Sequence, residues 1–136
     1  MSVGSYSQKY IDQCCSNISE LLASYKGLIA SAKINSAVEA FEPNFFDHMV
    51  LVLDSYFCHR SRTMELKGGN PLNEVRMLCN SAMNNNSKLG ADKTIKYVPE
   101  NSVLKYEIGD EINLNVSDFN RLYKGFFAEI ESKYKA

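Results

Sequence analysis

The chain has no surplus of either charge: 15 lysines and arginines stand against 16 aspartates and glutamates, a formal net charge of −1. Binding to nucleic-acid phosphates draws on a basic excess, so this balance disfavours DNA or RNA as a partner. Long apolar runs are also missing. The longest, Met49 to Leu53, falls well short of the roughly 18 residues that suggest a membrane span, so no membrane partner is expected. The first residues, Met1 to Tyr6, lack the basic start and apolar stretch of a secretion signal, and the expected compartment is the cytoplasm. The four cysteines, Cys14, Cys15, Cys58 and Cys79, form no CxxC pair. Neighbours on a helix point about 100° apart, so Cys14 and Cys15 are poorly placed to bridge, and four reduced thiols are expected. Nucleotide-cradling GxxxxGK[ST] and GxGxxG loops and the HExxH metal motif are absent as well.

What is present is helical periodicity. The 136 residues, 45% of them hydrophobic, suit one domain with a real core. A first helix is expected from Tyr6 to about Lys33, with Ser5 and Gln8 at capping-box spacing. Its apolar stripe is Ile11, Cys14, Ile18, Leu21, Tyr25, Leu28 and Ala32, and Gly27 is its weak point. A short helix over Ser36 to Phe41 follows. The second long helix should run from Pro43, a residue suited to a first helical position, to about Met64, with Gly68-Gly69 as its stop. Phe45, Phe46, Met49, Val52, Leu53, Tyr56, Phe57 and Met64 gather on one arc of it. Arg60 lies within that arc and Leu51 outside.

Asn70 precedes Pro71 and reads as the N-cap of a third helix ending at Asn84 to Asn86. The stretch 87–101 reads as loop, with a short strand at Thr94 to Val98 ended by Pro99. Apolar residues then alternate with polar ones on both sides of Gly109-Asp110. Leu104, Tyr106 and Ile108 are followed by Ile112 and Leu114, a small β-hairpin or two extended arms. A last helix starts near Asn115, with Asp118 three residues on and Phe119, Leu122, Phe126, Ile130 and Tyr134 facing inward. The fold class is mainly α: a four-helix, bundle-like single domain with a small β-hairpin or extended arm before the C-terminal helix.

The stretch Met49 to Ser81 contains His59-Arg60-x-Arg62-Thr63-x-Glu65 and then Gly69-Asn70-Pro71-Leu72-Asn73-Glu74-Val75-Arg76. Together with the segments from Ala91 and Asp118, it resembles a family of small uncharacterised bacterial proteins found among actinobacteria and elsewhere. The resemblance covers about residues 44 to 134. It implies a bacterial cytoplasmic protein and carries no activity, substrate or cofactor.

The same stretch holds the most prominent polar cluster: His59, Arg60, Arg62, Glu65, Asn70, Asn73, Glu74 and Arg76. It flanks the turn that opens the third helix, whose free N–H groups favour anions. One reading is a pocket for a small anionic ligand, with Arg60 or Arg76 pairing its carboxylate or phosphate. The other is a structural network in which Arg60 or Arg76 pairs Glu65 or Glu74 and pins the turn. No metal or cofactor is expected: His48 and His59 stand about 16 Å apart along a helix, too far to share an ion, and a site of His59 with Glu65 and a residue of another helix is the lesser reading beside a solvated helix face. Catalysis through Cys58 is not expected either, since neighbouring His59 points away around the helix.

The leading expectation is a non-enzymatic helical protein acting by self-association or protein–protein interaction, as a homodimer through the N-terminal helix. The runner-up is a small-ligand binder or enzyme using the polar cluster. A straight first helix of about 42 Å exceeds a compact domain of this size, so its stripe should find a second subunit.

Overall fold

A computed structural model describes residues 4–31, 36–60, 70–84, 86, 88–91 and 97–136. Among these residues four helices pack on one another: α1 (Gln8–Ser31), α2 (Ser36–Ser55), α3 (Pro71–Asn84) and α4 (Val116–Tyr134). A 3-10 turn spans Pro99–Asn101. The fold is mainly α and bundle-like. No described helix is long and apolar enough to cross a membrane.

The core follows the 3.6-residue period of the helices. Helix α4 inserts Phe119, Leu122, Phe126, Ile130 and Tyr134, all fully buried, and α2 and its following turn add Phe46, Leu53 and Phe57. Aromatic rings tie the elements together. Phe46 meets Phe119 at 5.4 Å between centroids, and Phe57 meets Phe127 edge-on at 5.8 Å. Ahead of α1, Tyr6 pairs with Lys135 in a parallel bridge, and the Ala136 N–H donates to the Tyr6 carbonyl at 2.7 Å.

Several boundaries differ from those expected. Helix α1 is opened by Ser7, not Ser5: its hydroxyl accepts from Tyr10 N–H at 3.2 Å. The short helix over Ser36 to Phe41 and the helix expected to begin at Pro43 are one continuous element, with Pro43 inside it. Proline removes one intrahelical bond there, but both sides are held. Phe41 stacks on Phe45 across it at 5.3 Å, and the Glu42 carboxylate accepts the Val116 N–H at 2.9 Å. Helix α2 also stops at Ser55, well before Met64. Two tight turns follow, Phe57 N–H to Asp54 carbonyl and Arg60 N–H to Phe57 carbonyl. Met64 and the Gly68-Gly69 stop lie outside the described residues, as does most of the strand expected at Thr94 to Val98.

The expected β-hairpin does not form among the described residues: the segment before α4 is irregular, with a left-handed Lys105 and a turn at Gly109. Its backbone donors at Val103, Leu104, Glu107 and Leu114 go to side chains, and that of Asp110 to a local turn, instead of to a strand partner. Asp110 accepts Glu107 N–H with its side chain, Gly109 has φ 96°, and the strand-like contact is an isolated bridge between Lys88 and Glu111. Ile112 and Leu114 are buried, whereas Ile108 is exposed.

Candidate functional site

Two places invite a functional reading: the polar cluster at the start of α3 and the outer face of α2. In the cluster, Asn70 caps α3 as expected, its Oδ1 accepting Asn73 N–H at 3.0 Å. Asn73 and Glu74 are buried in the first turn and Arg76 is half-buried, while His59 is exposed in the turn after α2. Arg62 and Glu65 lie outside the described residues.

The two charges at the heart of the cluster serve different partners. The Arg60 side chain is 0% exposed, and its guanidinium donates to Asp54 Oδ1 and to the Phe57 carbonyl, both at 3.1 Å. It also lies 5.7 Å over the Phe126 ring. A buried cation requires such partners, because leaving water unpaired costs several kcal/mol or more. Glu74 uses both oxygens on the chain itself: Oε1 accepts Val103 N–H and Oε2 accepts Leu104 N–H, each at 2.8 Å. Burial pushes the Glu74 carboxyl up from its ordinary value, against the pull of the two backbone donors and of Arg121.

Glu74 is one of three carboxylates that hold the segment between α3 and α4 and the first residue of α4. Glu42 receives Val116 N–H, and buried Asp47 receives Leu114 N–H at 3.4 Å. Burial raises Asp47, with the Leu114 bond and His48 lowering it and Glu111 raising it. The sequence reading missed Asp54, Asp47 and Glu42 in these roles. Their signal was present, since acids inside an otherwise apolar helix need donors, but the donors stand 67 and 74 residues away for Asp47 and Glu42. The arrangement can clamp backbone. Among the described residues no group of three or more histidines, cysteines, aspartates and glutamates is set to hold a metal ion.

The outer face of α2 is different in kind. Phe41, Asn44, Phe45, His48, Met49 and Val52 line a shallow groove of ≈ 360 Å³. Phe41 is 49% exposed and Val52 36% exposed. Its aromatic rings connect inward to α1, Phe41 stacking on Phe45 and Phe45 on buried Tyr25 at 5.5 Å. One helical turn to either side of Tyr25 stand Leu21 and Leu28, 42% and 61% exposed. Of the other expected stripe residues, Ile11, Cys14, Ile18 and Tyr25 are buried within the chain, together with Leu22, and Ala32 lies outside the described residues.

A second cavity of ≈ 220 Å³ lies where α2 meets the entry to α4, lined by Glu39, Glu42, Pro43, Asn113, Leu114 and Asn115. Neither cavity includes a residue of the polar cluster. No protein-family model, curated protein or solved structure matches this chain.

Proposed function

We propose that this is a non-enzymatic helical protein that works by associating with itself, through the face shared by α2 and the second half of α1. The observation that carries this reading is the apolar groove on α2, where exposed Phe41 and Val52 flank Phe45 and Met49, with exposed Leu21 and Leu28 one turn to either side of the Tyr25 ring that stacks on Phe45. Scattered apolar residues are normal on a surface, whereas a contiguous patch marks a binding surface. The alternative of a small anionic ligand at the polar cluster draws less support. Arg60 is already bonded to Asp54 and the Phe57 carbonyl, and Glu74 to two backbone amides.

Size-exclusion chromatography with light scattering tests the proposal. The expected result is a mass that rises above 15.3 kDa as protein concentration increases, toward twice that value. A mass that stays at the monomer value up to millimolar protein would remove self-association as the function.

A further inference from the structure

The outer face of α2 carries no formal charge over residues 40–55. Its exposed residues there are Ala40, Phe41, Asn44, His48, Val52 and Ser55. In a chain with 23% charged residues this is selective. The helix does contain acids in that span, but Glu42, Asp47 and Asp54 are all engaged inward, with Val116, Leu114 and Arg60. The outer face of α4 shows the contrast, with Arg121, Lys124 and Glu131 exposed. In the second half of α1, residues 21–31, Lys26 is the sole charge. Depletion of charge with enrichment of aromatics and methionine distinguishes the centre of a protein interface from ordinary surface.

The groove residues also have a symmetric spacing. Positions 41, 44, 45, 48, 49 and 52 are separated by steps of three, one, three, one and three. Such a stripe maps onto itself when the helix is turned end for end. Resting on the self-association reading, we propose that the occupant of this groove is a second copy of the chain. The two α2 helices lie antiparallel about a twofold axis level with residues 46 and 47. Phe41 of one copy then lies level with Val52 of the other, and Phe45 with His48.

The polar members of the stripe fit this register. His48 Nδ1 lies 2.8 Å from the Asn44 carbonyl of its own helix. Only a protonated Nδ1 can bond that oxygen, which makes Nε2 an acceptor in the neutral ring. In the antiparallel pair, the Asn44 amide of the other copy arrives within one residue of that level and can donate to it. Two symmetric Asn44-to-His48 bonds would then give each His48 Nε2 a donor and fix the register of the seam, as single polar residues do in helical seams. A patch about 16 Å long and two helix diameters wide covers roughly 300 Å², against about 800 Å² per partner in a standard interface. The dimer is accordingly expected to be weak and concentration-dependent.

The test uses the full chain in a Cys58→Ser background, which removes the exposed native thiol. Phe41→Cys and Val52→Cys are prepared separately, then treated with a short bis-maleimide alone and mixed. The mixture should yield a covalent dimer of the two variants, while each alone should not. In the antiparallel register, identical positions stand about 16 Å apart along the helices. Val52→Glu should leave helicity unchanged and abolish association. Cross-linking of each variant to itself would overturn the antiparallel register. Wild-type association that survives both Val52→Glu and Phe41→Glu would overturn the α2 seam and leave self-association standing. A wild-type chain that is monomeric throughout would end both.

Discussion

The carboxylate of Glu74 in α3 and the amide of Val103, 2.8 Å apart, join positions 29 residues distant in sequence. The second oxygen takes Leu104 in the same way. This one side chain thus fixes the path of the loop before α4, next to Lys105 with its left-handed φ of 59°. Replacing it by alanine leaves two amide donors without their acceptor, each worth about 1–3 kcal/mol when buried. Glu74→Ala should therefore lower unfolding free energy by at least about 2 kcal/mol in denaturant melts. A change under half of that would mean that water or another acceptor takes over the two amides.

The same residue should make stability depend on pH. Burial raises the Glu74 carboxyl above its ordinary value in the folded chain. A raised folded-state value means that the unfolded chain ionises first. The stabilisation is fully present below about pH 4.3, the unperturbed value for glutamate, and is lost as pH rises through the folded value. Glutamine cannot ionise, though its amide presents a donor where one oxygen stood. The stability advantage of wild type over Glu74→Gln should thus shrink as pH rises from mildly acidic to mildly alkaline. Melts of both proteins across that range check the sign, and a growing advantage would show that the two backbone bonds and Arg121 outweigh burial.

Much of the helical frame was legible because local signals coincide with it. Asn70 before Pro71, and Asn115 with Asp118, mark the starts of α3 and α4, and in α4 both capping-box bonds form. Pro43 misled because local chemistry prefers it at a helix start, and long-range contacts of Glu42 and the Phe41–Phe45–Tyr25 rings override that preference. The hairpin misled for a related reason. Alternation of apolar residues around Gly109 says which side faces in, but not that the backbone donors of Val103, Leu104 and Leu114 go to side chains of α2 and α3. At the candidate sites, Arg60 could be read as a buried cation needing a partner. Its choice of Asp54, like the uncharged outer face of α2, depended on how the helix rotates: Val50 is buried and Val52 exposed, where the period alone put Val52 inside.

Two helix-local substitutions should move stability in opposite directions. Asn70→Ala removes the acceptor for Asn73 N–H and should cost about 1 kcal/mol, whereas Asn70→Asp keeps an acceptor and should lose much less. Gly27 lies inside α1 with no atom within 4 Å of an added Cβ. Gly27→Ala should then stabilise by up to about 1 kcal/mol, through helix propensity and a less disordered unfolded chain. Thermal melts of the single variants separate the two effects. A destabilised Gly27→Ala would mean that α1 is not helical through residue 27.

The four cysteines stand as thiols in four different settings, which their reactivity should report. Cys58 is exposed in the turn after α2. Cys14 is buried, and burial pushes its thiol up, with Tyr10 pulling the other way. Cys15 is half-buried and raised by burial and by Asp12 and Glu131. Cys79 is buried and donates to the Val50 carbonyl at 3.3 Å. The thiolate is the reacting species, so both burial and a raised value slow attack on a disulfide reagent. Native protein treated with a chromogenic disulfide should release one equivalent quickly, and Cys58→Ser should remove that phase. Denaturant should then reveal the remaining thiols, for a total of four. A second fast equivalent from Cys14 in native protein would mean that α1 does not stay packed on the core.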